Sequence, residues 1–407
     1  ITTRLVGSEM CIRDRYNFID LFCGAGGFSH GLELAGLNCI GGIDVVERTV
    51  QTHKLNHPNS VSICGDIREI PPEEFHKKIG YQDVHVIIGG PPCPTFSTIG
   101  HAKIQSVTGK DVSEDPRNQL FMEYLKYVDY FKPEIFVMEN VPTFMTKYKG
   151  KVFNTAVEII ESIGDGMYEV QKPVQVLNSV HYGVPQARRR MMLVAHKKKN
   201  VQFEYPKHTH YYDQEDKEKE DLKPFETVES AISDLPKITD NWRVSEVEYS
   251  KFEDLTEFQQ IMRSNNHNRT VKNNICRMSN DRAKKVFSHM KQGDIYMDLP
   301  KEVRQILPFR EDIFKDRLKR LVMNKPSWTI LAHIGMDGYM YIHPTELRTL
   351  SVREAARIQS FPDDFEFIGN QQDTYVQVGN AVPVLMAKAI GESVLDYLNK
   401  IEKSVIF

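Results

Sequence analysis

The stretch Tyr16–Gly36, "YNFIDLFCGAGGFSHGLELAG", decides how the rest of the chain is read. A β-prone apolar run ends in Gly24, Gly26 and Gly27, and a helical pattern from Phe28 follows at once. Strand, glycine turn and helix in that order open an α/β unit, and the glycines let a backbone approach a ligand at a helix N-terminus. Gly24 and Gly26 fit the first two positions of G-x-G-x-x-G, but Ser29 stands at the third, so the dinucleotide fingerprint is imperfect. Asp44 ends the next strand about twenty residues on, where an acid would meet ribose hydroxyls, and Asp66 in "CGDIRE" follows the third strand. Three consecutive strand ends of this chemistry point to an adenosine-containing cofactor.

The alternation continues. Strands are expected at 17–22, 38–43, 61–64, 84–88, 134–138, 174–178 and 190–195, with helices over 28–36, 47–56, 117–131 and 152–163. This rhythm predicts a doubly wound, mostly parallel α/β sheet covered on both faces. It breaks at Lys197–Asp221, a lysine run followed by "DQEDKEKED", and returns with a helix over 350–358 capped by Ser351 and a last helix over 384–401. The layout expected is a non-native or disordered segment 1–15, a catalytic and cofactor-binding domain 16–197, an inserted module 198–347, and a C-terminal part 348–407 that rejoins the first domain.

Charge supports the insertion. The net charge of −3 conceals six Lys and Arg against thirteen Asp and Glu in 201–250, then eighteen against twelve in 251–350. A basic segment of that kind suits a phosphate backbone, although solvated helix faces look the same. The six cysteines form no C-x-x-C pair and no cluster with histidine, which predicts free thiols, a reducing compartment and no metal. No run approaches the ~18 apolar residues of a membrane span.

Three further stretches carry chemistry. In "VHVIIGGPPCPTFS", Val84–Ser97, a buried strand ends at two glycines, and prolines stiffen the turn that holds Cys93 at the carboxyl edge of the sheet. Cys93 there is either a nucleophile or a small buried hydrophobe. Glu139, in "MENVP", ends a buried strand, where a carboxylate must be paired, working or capping a helix. In "VPQARRRMMLVAH", a period of two sets Arg188 and Arg190 on one face with Arg189 opposite, inviting an anion or the Glu139 carboxylate.

Read in order, "DLFCGAGGFS", "GDI", "GGPPCPTFS", "MENVP", "VPQARRR", "TLSVREAARIQSFPDDF" and "QVGNAVP" resemble the cytosine carbon-5 DNA methyltransferase family of restriction-modification systems. The resemblance spans nearly everything after Tyr16. It implies an S-adenosyl-L-methionine-binding, Rossmann-like domain with a target-recognition domain between the arginine motif and "REAARIQSFP". It implies that Cys93 adds to cytosine carbon 6, that Glu139 and Arg190 hold the flipped base, and that Arg188 orients the catalytic loop. Asp20, Phe22, Gly24, Ala25, Gly26, Gly27, Asp44, Asp66, Ile67, Pro91, Asn380 and Val382 would line the cofactor. Ser97, Arg263, Arg269, Lys272, Arg277 and Arg282 would contact DNA, and the loop from Pro94 to about Pro116 would close over the base. Two residues depart from the family pattern: Asp44 stands where glutamate is common, and Pro94 where glutamine is. Double-stranded DNA, a cognate restriction endonuclease, a monomeric state and a cytoplasmic location are the remaining implications. A transfer-RNA methyltransferase, a non-catalytic DNA-binding relative and a nicotinamide oxidoreductase are the other readings, the last disfavoured by Cys93 and the basic insertion.

Overall fold

A computed structural model describes residues 16–93, 116–199, 201–212, 221–239, 242–310 and 317–406. The chain forms two compact units. The first comprises residues up to Asn178, then Arg189–Lys207 and Met386–Phe407. The second comprises Ser179–Arg188 and His208–Leu385.

An eight-stranded sheet builds the first unit. Its strands are β1 (Asn17–Leu21), β2 (Asn38–Asp44), β3 (Val61–Cys64), β4 (Val86–Gly89), β5 (Ile135–Asn140), β6 (Tyr168–Val170), β7 (Gln175–Asn178) and β8 (Arg189–Lys197). Five run parallel in the order β3-β2-β1-β4-β5, and β8 pairs antiparallel with β5 on one side and with β6 and β7 on the other. Helices α1 (Gly27–Leu34), α2 (Glu47–Asn56), α3 (Pro72–Lys78), α4 (Pro116–Phe131) and α5 (Lys151–Gly166) make the crossovers. The central strands bury both faces, so they read as unbroken Val/Ile/Phe runs. After β3 the chain returns across the sheet to lay β4 beside β1, with Leu21 opposite Gly89. That reversal is a topological switch point, and the crevice beyond such carboxyl ends is where open α/β sheets bind ligands. The glycine turn after β1 and the Pro-Pro-Cys turn after β4 therefore flank one crevice.

Close packing fixes the frame. A Cβ on Gly89 would stand 2.1 Å from the Leu21 carbonyl oxygen, so only glycine ends β4 at this spacing. Gly391, on the C-terminal helix Val384–Ile406, lies where a Cβ would meet Ala35 at 2.8 Å, which brings that helix onto the end of α1. The helix α3 was not expected from the sequence. Seven residues are too few to show a period, although Pro at its start, Glu73 and Glu74 in its first turn and Lys77 and Lys78 in its last are ordinary end signals.

The second unit has little regular structure and is held by buried arginines. Ser351 caps the helix Val352–Ile358 as expected, its hydroxyl accepting from the Glu354 amide at 3.1 Å. From that helix Arg353 donates to the carbonyls of Lys272, Pro362 and Phe365 at 2.8, 2.9 and 2.8 Å. Arg357 is bidentate on Asp363, with both contacts at 2.6 Å, and also reaches Asp234 at 3.1 Å. Both guanidinium groups are fully buried. Residues 348–385 thus pack with the second unit, whereas the expected module ended at 347.

Candidate active site

Cys93 lies where the rigid turn leaves β4, partly buried against the core of the first unit and in no disulfide among the described residues. The neighbouring strand end holds this turn. Asn140 Nδ2 donates to the Pro91 carbonyl at 3.0 Å, and Asn140 Oδ1 accepts from the Val141 amide at 2.9 Å. Glu139 Oε2 lies 3.1 Å from where a Gly90 Cβ would stand, so Gly90 leaves room for the carboxylate. Glu139 Oε1 takes the Arg190 Nε proton at 2.6 Å across the β5–β8 pair, in which Glu139 faces Met192. The partly buried carboxylate is therefore paired through one oxygen and has its other turned toward the Cys93 turn. The sequence reading gave Asn140 no role, although it sits inside the quoted "MENVP" and its burial demands a partner.

Arg188 behaves differently. The strand pattern put it on the face of Arg190, but Arg188 precedes β8 and belongs to the second unit. It is buried there and donates to the carbonyls of Ile330 at 2.7 Å and Gly379 at 3.3 Å. Gln186 ties the same segment together, donating to Gln359 Oε1 at 2.8 Å and accepting from the Ile330 amide at 2.7 Å.

Around the glycine turn, Phe22, Gly24 and Gly26 all take positive φ, at 68°, 55° and 98°. At Gly26 a Cβ would collide with the His57 ring at 2.3 Å, so glycine is required both by conformation and by space. Asp44 buttresses the turn: Oδ2 accepts from the Gly24 amide at 3.0 Å and Oδ1 from the Val46 amide at 2.9 Å. Burial raises its carboxyl above the usual range. Ala25 and Gly27 are buried in the turn, and Pro91 lends its carbonyl to Asn140.

Asp20 lies beneath the turn and is almost wholly buried. Its Oδ2 accepts from Ser29 Oγ at 2.6 Å, Ser29 Oγ meets His53 Nε2 at 3.3 Å, and His53 Nδ1 meets Ser62 Oγ at 2.7 Å. Burial pushes the Asp20 carboxyl up to about 7 and holds the His53 imidazole well below its usual range. Asp20 braces the start of α1 from below. Asp66 caps the short turn Ile67–Glu69 and takes the Arg68 side chain at 2.9 Å; that pairing holds its carboxyl below the usual range, while Ile67 is buried. Asn380 and Val382 lie in the second unit, Asn380 exposed at the end of its helix and Val382 half-buried.

Most of the expected DNA-contacting cations have internal partners. Arg263 forms an ion pair with buried Asp234 at 2.5 Å and its guanidinium lies 3.5 Å from the Tyr249 ring centroid. Arg277 donates to the carbonyls of Met336 and Gly335. Arg269 pairs with Glu248 at 3.0 Å and Lys272 with Glu366 at 2.8 Å, both at the surface. Arg282 is exposed on the helix Asp281–Phe287. Ser97 and the expected lid from Pro94 to Pro116 lie outside the described residues, apart from the start of α4.

The architecture is that of the doubly wound methyltransferases. A solved Escherichia coli prophage structure, assigned as a DNA modification methyltransferase, matches with a TM-score of 0.72 over 95% of this chain and 100% of its own, at 24% identity. The sequence then fixes the group: residues 16–396 match the C-5 cytosine-specific DNA methylase family, and the chain belongs to it as a DNA cytosine-5-methyltransferase of restriction-modification type. The type II methyltransferase M.DdeI of Desulfomicrobium norvegicum is 33% identical, over 95% of this chain and 90% of that protein. M1.HphI of Haemophilus parahaemolyticus, also a type II methyltransferase, is 32% identical over 93% and 86%.

Proposed function

We propose that the chain methylates carbon 5 of a cytosine flipped out of a specific duplex DNA sequence, through a covalent Cys93 adduct, with S-adenosylmethionine as donor. The observation that carries this is the coupling of the two strand ends: Asn140 holds Pro91, Glu139 packs at Gly90, and Arg190 pairs with Glu139. Carbon 5 of cytosine is a weak nucleophile. The Cys93 thiolate adds to carbon 6, forming a C–S bond and moving the ring's electron pair toward carbon 5. Glu139, with Oε1 fixed by Arg190, has Oε2 to accept from the exocyclic amine, and a proton held between the carboxyl and the ring nitrogen relieves charge in the adduct. After methylation, loss of the carbon-5 proton to a base and departure of the thiolate restore the aromatic ring. Because these atoms are unreachable inside a stacked duplex, the base must leave the helix.

The glycine turn fits the donor. Gly24, Gly26 and Gly27 give a close-approach cradle, Asp44 offers a carboxylate at the ribose position, and Val45 and Val46 are exposed apolar side chains beside it. Bound there, the donor supplies a methyl group on a sulfonium. Asp20 supports the turn from below, Asp66 and Ile67 follow the third strand, and Asn380 and Val382 are the further donor-lining residues of this reading. Arg282 is the side chain of the second unit best suited to a phosphate, and the module 198–347 supplies target recognition. A cognate restriction endonuclease, a monomeric state and a cytoplasmic location complete the reading. The test is tritiated S-adenosylmethionine with mixed-sequence duplex DNA and, separately, total transfer RNA, followed by bisulfite sequencing. Label in DNA at one recurring cytosine context is expected; label in RNA alone would overturn the substrate.

A further inference from the structure

The turn Lys147–Lys151 follows Glu139 and Asn140 by only a few residues, joined to them through Val141, Pro142 and the short helix Thr143–Thr146. It therefore stands at the carboxyl edge of the sheet, the edge that carries Cys93. Three features set it apart. Tyr148, Lys149 and Gly150 take positive φ in succession, at 51°, 58° and 80°, a conformation that costs energy for the two residues with side chains. Tyr148 is 53% exposed and Lys149 and Lys151 are exposed, with the Lys147 ammonium 5.7 Å from the Tyr148 ring centroid. And Lys147, Lys149 and Lys151 stand within five residues of one another, and among the described residues no carboxylate pairs with any of them, whereas Lys126, Lys172, Lys197 and Lys199 each have one.

The base of the turn is anchored. Phe144 is buried and meets Phe153 of α5 edge-on at 5.8 Å, and a Cβ on Gly150 would stand 3.4 Å from the Met145 carbonyl oxygen. A fixed platform presenting three uncompensated lysines around an exposed aromatic ring matches a row of phosphates, because an internal acid would be the cheaper partner for a merely structural cation. We propose that Lys147, Lys149 and Lys151 grip the phosphate backbone of the substrate duplex beside the extruded base, so that the catalytic unit itself, outside any target-recognition module, supplies part of the DNA affinity. The inference rests on the duplex-DNA reading above. These contacts read no sequence; they position the strand.

The test is fluorescence anisotropy of a labelled mixed-sequence duplex over a salt series, with the full-length protein and S-adenosylhomocysteine present. The triple variant Lys147→Gln, Lys149→Gln, Lys151→Gln is expected to flatten the slope of log K against log salt by about 2–3, close to 0.9 per lost phosphate contact. Its thermal midpoint should stay within a few degrees of the wild type, since among the described residues none of the three pairs with a carboxylate and only Lys147 has a ring contact, with exposed Tyr148. The control is Lys77→Gln, Lys78→Gln, Lys132→Gln, which removes the same charge from exposed positions at the amino edge of the sheet, before β4 and β5. It should retain the wild-type slope. An unchanged slope in the first triple variant, with the wild type bound, would overturn this surface and leave the duplex reading intact. An equal loss in both triple variants would reduce the effect to net charge and overturn it also. Failure of the wild type to bind duplex DNA would remove the reading beneath it.

Discussion

The two compact units use charge in opposite ways. In the first, Glu139 and Arg190 lie at neighbouring strand ends, and the pair engages Glu139 Oε1 while Oε2 lies beside the Cys93 turn. In the second, Arg353 and Arg357 sink into the interior and spend their donors on carbonyls and on Asp234 and Asp363. A sheet supplies its own backbone pairing, so charges at its edge are free for chemistry. A unit of short helices, two-residue strands and loops has many carbonyls outside regular pairing, and arginine, with five donors in a rigid fork, satisfies several at once. Basic composition therefore points to DNA only after internal partners are removed from the count.

The comparison can be broken in several places. Cys93→Ser should lower turnover by at least about a thousandfold while donor binding persists, because the nucleophile is lost and the glycine turn is untouched; single-turnover kinetics with parallel calorimetry would measure both. Arg357→Ala should cost about 3–5 kcal/mol of stability in denaturant titration, since it removes the bidentate partner of buried Asp363 and leaves buried Asp234 with Arg263 alone of its two arginines. A loss within a fraction of a kcal/mol would show that the second unit does not depend on its arginine core.

Asp20 gives a pH signature. Its folded carboxyl titrates near 7, above the unfolded value of 3.8, so the folded state binds the extra proton between those limits. The stability this group contributes is fully present below about pH 4 and is lost as pH rises through 7, and Asp20→Asn should flatten that decline by up to a few kcal/mol. Identical pH profiles of thermal stability for the two proteins would contradict the buried-carboxyl assignment. The smallest effect is expected at Asp44, where Asp44→Ala removes a brace of the Gly24 and Val46 amides and should weaken donor binding by about 1–2 kcal/mol in calorimetry.

Period and punctuation made the catalytic unit legible. Apolar runs ending in Gly24–Gly27 and Gly89–Pro92 mark β1 and β4, and their carboxyl ends mark the crevice without any knowledge of side-chain contacts. The partners of single charges were not legible. Arg263 finds Asp234 from twenty-nine positions away, Arg277 finds the carbonyls near 335, and Arg188 those at 330 and 379. Nothing in local spacing distinguishes such a cation from one that faces a phosphate. Asp20, which the resemblance places at the cofactor, accepts from Ser29 Oγ, which in turn meets His53, a chain of contacts that local spacing does not announce.

The central claim is the covalent role of Cys93, and its most direct test is intact-mass analysis of the protein after reaction with a duplex whose target cytosine carries fluorine at carbon 5. Release requires loss of the carbon-5 proton, so fluorine should hold the chain and methylated DNA together as one species, with the linkage mapping to the Cys93 peptide and absent from Cys93→Ser. Methyl transfer to unmodified DNA at full rate by Cys93→Ser, or a trapped linkage at any other residue, would contradict the account.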